Sequence, residues 1–138
     1  MMPEEVTERP ICIVEDSPPV RKLMEVLLAR EGFSVVSFGR GEEVIDWLRH
    51  HRPLALLCDL VLPDIHGVEI LRVLRSLPEG NKIPAIAVTG LSQESERQHY
   101  LQMGFDAYIV KPLSVATFAH EVQRVIKRKQ AVESYERL

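Results

Sequence analysis

No stretch of this 138-residue chain approaches the ~18 consecutive apolar residues that a bilayer-spanning helix needs. The opening residues, Met1-Met2-Pro3-Glu4-Glu5-Val6-Thr7-Glu8, are acidic and lack an apolar core, so no secretory leader is expected. Cysteine is scarce. Cys12 and Cys58 both lie inside apolar, strand-like runs, and no CxxC pair exists, which excludes a zinc ribbon and a thioredoxin-type redox motif. Buried free thiols in a reducing compartment are the expectation. A basic excess is missing too: 17 Lys and Arg stand against 20 Asp and Glu. That balance argues against a nucleic-acid-binding module. His50, His51, His66, His99 and His120 have no metal-ligand spacing. What remains is an ordinary mixture, 46% apolar and 27% charged, able to bury a real core as one soluble, cytoplasmic domain.

The apolar pattern alternates between two kinds. Ile11-Cys12-Ile13-Val14 and Leu54-Ala55-Leu56-Leu57-Cys58 are continuous apolar runs, the mark of strands covered on both faces of a parallel sheet. Phe33 to Phe38 carries Ser34 and Ser37, which suits an edge strand; Ile83 to Val88 and Ala107 to Val110 complete five. Between them lie helical stripes. Val20, Leu23, Met24, Leu27 and Leu28 form the first, closed by Gly32, and Gly41 to His50 the second. After a loop holding Pro63 and Gly67, the third carries Val68, Leu71, Leu74 and Leu77. Ser92 to Met103 has few apolar residues, so it is weakly anchored; the last stripe is Val115, Phe118, Ala119, Val122, Val125 and Ile126. Five strands alternating with five helices predict an α/β fold, a parallel sheet with helices on both faces and right-handed crossovers.

In such a sheet every strand points the same way, and ligands bind at the carboxyl edge. The first strand delivers Glu15 and Asp16 there, the third Asp59, the fourth Thr89 and the fifth Lys111. Like charges ~4 Å apart repel by ~4 kcal/mol at an effective dielectric of ~20. Either one acid stays protonated or a cation neutralises the group. All-oxygen ligands suit a hard ion, and Mg2+ is the natural choice. With Lys111 for an oxyanion and Thr89 as a hydroxyl donor, the inventory fits phosphoryl transfer onto a carboxylate.

Four segments then bear a likeness. Ile-Val-Glu15-Asp16, Cys-Asp59-Leu-Val-Leu-Pro63-Asp-Ile-His-Gly67, Ala-Val-Thr89-Gly90 and Asp-Ala-Tyr108-Ile-Val-Lys111-Pro112 resemble, in order and spacing, the motifs of bacterial response-regulator receiver domains. The resemblance covers about Pro10 to Lys127. It implies a flavodoxin-like (βα)5 fold with strand order 2-1-3-4-5. It implies that a histidine kinase or phosphotransfer protein phosphorylates Asp59, with Mg2+ held by Asp16, Asp59 and the main-chain carbonyl of Val61 while Glu15 assists through water. Thr89 and Lys111 would bind phosphoryl oxygens, and Tyr108 would move inward as Thr89 shifts. The surface of the fourth helix, fifth strand and fifth helix would change for an unidentified partner or a second copy. A cis Lys111-Pro112 peptide is also implied.

Gly90 stands where the family usually has Ala, which leaves the phosphoryl entrance open. Val61 and Leu91 occupy the two positions that, in the family, influence attack by water; both are apolar, so the resemblance implies a long-lived acyl phosphate. Asp64, after Pro63, is expected to be a solvated loop carboxylate, and Asp106 to face the opposite edge. Trp47 reads as a packing or partly exposed residue. The chain divides into a tail over 1–9, the receiver over 10–127, and a helical extension or frayed tail over 128–138, where Glu133 and Arg137 stand four apart. A phosphate sink and a receiver cut from a hybrid kinase are alternatives. A flavodoxin-like nucleotide or flavin carrier fits less well: Glu-Asp-Ser-Pro-Pro offers carboxylates where phosphate needs amides. An aspartate-dependent phosphatase would want an acid where Val61 stands. No turnover enzyme, nucleic-acid contact or membrane contact is expected.

Overall fold

The two continuous apolar segments become neighbouring strands in the middle of a sheet. In the computed structural model, which describes residues 9–136, the strands are β1 (Ile11–Val14), β2 (Val35–Phe38), β3 (Ala55–Cys58), β4 (Ala85–Thr89) and β5 (Ala107–Val110). The helices are α1 (Pro18–Arg30), α2 (Gly41–Leu48), α3 (Gly67–Ser76), α4 (Glu94–Gln102) and α5 (Phe118–Glu136), with a 3-10 turn over Gly80–Lys82. All pairings are parallel, in the order β2-β1-β3-β4-β5. Every residue of β1, β3 and β4 is buried, whereas the edge strand β2, with its Ser37, is half-buried throughout.

Alternate residues of a strand face opposite sides of a sheet, so the core divides in two. Cys12, Val14, Leu56, Cys58, Ala85 and Ala87 pack with Val44 and Leu48 of α2 and Ile70, Leu71 and Leu74 of α3. Ile11, Ile13, Leu57, Ile86 and Val88 pack on the other face with Met24 and Leu28 of α1 and Phe118, Val122 and Ile126 of α5. Both cysteines are free and buried. Helix α4 has no buried residue and leans on the first cluster only through Tyr100 and Leu101, as its sparse apolar content predicts. Among the described residues no helix is long and apolar enough to cross a membrane.

Several boundaries differ from the periodicity. β4 starts at Ala85 rather than Ile83, because the Ile83 N–H closes the 3-10 turn on the Gly80 carbonyl and Pro84 has none to give. Gly67 is the first residue of α3 rather than part of the loop, and Leu77 is its C-cap, beyond the last turn. Val115 lies outside α5 and is 60% exposed. The Ser114 carbonyl takes the N–H groups of Thr117 and Phe118, so the helix starts three residues later. Beyond residue 127, α5 continues as a helix to Glu136, with Lys129 bonded to Asp106 and Glu133 3.5 Å from Lys82. Arg137 lies outside the described residues.

Candidate functional site

The winding reverses between β1 and β3, and the register there pairs Val14 with Cys58. The residues that follow, Glu15-Asp16 and Asp59, therefore emerge side by side at the carboxyl edge, at the switch point where α/β sheets bind ligands. A carboxylate oxygen from each of Glu15, Asp16 and Asp59 lies within 4.8 Å of the other two; Glu15 and Asp59 are buried and Asp16 is exposed. Lys111 reaches them from the end of β5, its backbone N–H on the Thr89 carbonyl at 2.8 Å and its peptide to Pro112 cis. Its Nζ stands 2.7 Å from Asp59 Oδ2 and 2.9 Å from Glu15 Oε1.

Burial pushes the Glu15 carboxyl above its ordinary range, against the Lys111 ammonium and the Ser17 N–H, which pull it down. Burial would lower Lys111, but its bonds to Asp59 and Glu15 outweigh that, and its pKa is raised. One ammonium offsets only one of three carboxylates. The donor set is all oxygen, partly buried and open to solvent at Asp16, which fits a hard divalent ion that keeps some of its water.

The other sequence-predicted residues line the rim. The Val61 N–H donates to Asp59 Oδ1 at 3.1 Å, while the residue as a whole is 59% exposed. Thr89 is buried at the end of β4, its Oγ1 accepting the Leu91 N–H at 3.4 Å; among the described residues no hydrogen bond joins it to Asp59. Gly90 is exposed, and a Cβ there would meet nothing within 4 Å. The Tyr108 hydroxyl donates to the Leu91 carbonyl at 2.7 Å, and burial raises its pKa, keeping it a donor. Asp106 faces the opposite edge, where it accepts from Ala85, Arg75 and Lys129.

Three roles were not foreseen. Asp64 is not a free loop carboxylate: it accepts the N–H groups of Gly41 at 3.0 Å and Glu42 at 2.8 Å, capping α2 from a distant loop. The α2 N-cap residue, Arg40, supplies no side-chain cap, so the vacancy is filled across 23 residues of chain. Only a helix start without its own capping side chain hinted at this. His66 Nδ1 accepts the Val68 N–H and caps α3, which leaves the ring hydrogen on Nε2, 3.4 Å from the Tyr100 hydroxyl. Its ring stacks on Tyr100, and Tyr100 stacks on Tyr108, so the loop after Asp59 meets α4 and β5 through three rings. Gly67 packs so closely that a Cβ would overlap the Asp59 carbonyl oxygen. Trp47 stacks on His51, with centroids 4.7 Å apart.

Known proteins share this architecture. The response regulator receiver domain family matches residues 11–123. The phosphate regulon transcriptional regulatory protein PhoB of Rhizobium meliloti is 36% identical over 118 residues, 86% of this chain and 52% of that one. The chain thus spans about half the length of that relative. The polar-differentiation response regulator DivK of Brucella anthropi is 34% identical over 113 residues, 82% of this chain and 92% of its own. The receiver domain of a signal transduction histidine kinase from Syntrophus aciditrophicus superposes with a TM-score of 0.76 at 29% identity, covering 86% of this chain and 90% of that one. The chemotaxis response regulator CheY4 of Vibrio cholerae gives 0.79 at 22% identity, covering 85% and 98%, a likeness of fold alone. With a matching family, the 2-1-3-4-5 sheet and an acid cluster at its switch point, the chain belongs to the response regulator receiver domains of two-component signalling, a family of phosphoryl acceptors.

Proposed function

We propose that Asp59 accepts the phosphoryl group, supplied by a histidine kinase or a phosphotransfer protein. One arrangement supports this reading above all: a buried carboxylate at the end of β3 with Lys111 on one oxygen, the Val61 N–H on the other, and Glu15 and Asp16 beside it. A carboxylate oxygen of Asp59 forms a bond to phosphorus while the donor's phosphorus–nitrogen bond breaks, giving a mixed anhydride. Asp16, Asp59 and the Val61 carbonyl would hold Mg2+, with Glu15 acting through water; the ion would supply positive charge against the phosphoryl oxygens.

The chain's own groups do the rest. The Lys111 ammonium pairs with a phosphoryl oxygen as charge leaves the Asp59 carboxylate. The Thr89 hydroxyl donates to another oxygen. Moving Thr89 disturbs Leu91, whose N–H it holds and whose carbonyl holds Tyr108. Tyr108 then shifts the face formed by α4, β5 and α5. With no residue buried in α4, that shift has little packing to undo. A downstream protein or a second copy reads this face. The receiver unit is 10–127, with the rest of α5 an extension. Stand-alone regulators, phosphate sinks and kinase-borne receivers all use the same chemistry.

The chain acts as an acceptor that forms and loses its own acyl phosphate rather than as a turnover enzyme. Neither Val61 nor Leu91 can orient a water molecule, so phospho-Asp59 is expected to persist for many minutes or longer. The test is intact mass spectrometry after incubation with a small acyl phosphate and Mg2+. Wild type gains one phosphate and Asp59→Asn gains none; an adduct on the variant would overturn the assignment. Following the adduct over time checks its persistence, which loss within seconds would refute.

A further inference from the structure

Asp16 is held differently from the two acids beside it. Glu15 is bonded by Lys111 and the Ser17 N–H, and Asp59 by Lys111 and the Val61 N–H. Among the described residues, no hydrogen bond or ion pair reaches the exposed Asp16 carboxylate. Where it can reach therefore depends on the backbone that places its Cα and on its own rotamer, with no side-chain contact to hold it. That backbone is pinned at three points. The Glu15 N–H donates to the Phe38 carbonyl at 3.0 Å, the Ser17 N–H to Glu15 Oε2 at 3.0 Å, and Arg21 Nη1 to the Glu15 carbonyl at 2.6 Å.

The third bond falls on the peptide that joins Glu15 to Asp16. Because a peptide is planar, fixing its oxygen fixes the line on which the Asp16 Cα leaves it. Arg21 sits in the first turn of α1, its own N–H on the Ser17 carbonyl at 2.9 Å. Its guanidinium lies over Gly39, where a Cβ would stand 3.1 Å from Nη1. Arg21 thus ties the start of α1 to the loop after β1 and lies beside the loop after β2.

We infer that Arg21 is a positioning residue for the cation site, holding the Glu15–Asp16 peptide so that the Asp16 carboxylate faces Glu15 and Asp59. This rests on reading the acid cluster as the Mg2+ site. Charge and bond act in opposite directions here. A guanidinium near the cluster repels a divalent ion, so deleting its charge alone tightens Mg2+ binding. Deleting the bond releases Asp16 and weakens it.

The experiment is isothermal titration of MgCl2 into the metal-stripped full chain, as wild type, Asp16→Asn, Arg21→Met and Arg21→Lys. Folding of each is checked by circular dichroism and thermal melting. Arg21→Met is expected to weaken Mg2+ binding about 10-fold, the scale seen when a group supporting a ligand is removed. Arg21→Lys keeps the charge and a shorter-reaching donor, so it should fall between wild type and Arg21→Met. If the methionine variant does not fold, the lysine variant decides: weakened binding supports the role, and wild-type binding overturns it. Unchanged or tighter binding by a folded Arg21→Met overturns it, as does a lysine variant no better than methionine. No Mg2+ binding by wild type would instead remove the reading of the acid cluster, and this inference with it.

Discussion

Asp59 Oδ2 and Lys111 Nζ lie 2.7 Å apart across 52 residues of sequence, and the same ammonium reaches Glu15 Oε1 at 2.9 Å. The carboxylates are 7% and 1% exposed, so they have little water to fall back on. Breaking a buried pair leaves an uncompensated charge, which costs about 3–5 kcal/mol. Lys111→Met should therefore lose about 3 kcal/mol of stability in divalent-free buffer by urea unfolding. Added Mg2+ should narrow that gap. A loss under about 1 kcal/mol would show that the cluster does not depend on Lys111.

Gly67 is needed for the closeness of α3 to the backbone of Asp59. A Cβ there would overlap the Asp59 carbonyl oxygen and stand 3.0 Å from the Leu60 Cα, and neither backbone atom can step aside. Gly67→Ala is expected to cost about 2 kcal/mol, as overpacking does, and to slow acquisition of the phosphate adduct. An alanine variant that melts with wild type would contradict this.

Capping of α2 by Asp64 predicts a pH signature. Burial alone would raise this carboxyl, but the N–H groups of Glu42, Gly41 and Ile65 outweigh it and hold it below the ordinary aspartate value of 3.8. A depressed carboxyl stabilises the fold fully above its unfolded value and loses that contribution as pH falls through the folded one. Asp64→Ala should cost about 1 kcal/mol at neutral pH, the usual worth of a cap. The difference from wild type should shrink in acid below 3.8. Urea titrations at the two pH values check it, and an unchanged gap in acid would refute it.

Cys12 and Cys58 should be inert in the folded protein. Burial pushes the Cys12 thiol up to about 12 and also raises Cys58, so neither is thiolate in mildly alkaline buffer. Maleimide labelling followed by mass should show no adduct in buffer and two in urea. Rapid native labelling would mean that the sheet opens locally.

The parts legible in the sequence were those that depend on neighbours along the chain. Ile11–Val14 is continuously apolar because both its faces are covered, and Ser37 marked an edge strand. Residues after β1, β3 and β5 had to emerge at one edge once the strands were parallel. Two of the misread positions, Asp64 and Gly67, have partners elsewhere in the chain. Nothing around Asp64 points to Gly41 and Glu42, which lie 23 and 22 residues upstream. Gly67 looked like a loop glycine because its reason for being glycine is the carbonyl of Asp59. Val115 fitted a helical stripe by spacing, but the turn on Ser114 intervenes.

By itself, then, the sequence determined the alternation of strands and helices and the chemical types at each strand end, since both follow from apolar period and local composition. Only the tertiary structure decided that Lys111 touches both Asp59 and Glu15, that among the described residues no partner reaches the Asp16 carboxylate while Arg21 grips the peptide before it, and that Asp64 closes a helix far upstream. Those relations depend on strand register and loop packing, which set distances between residues that no local pattern connects.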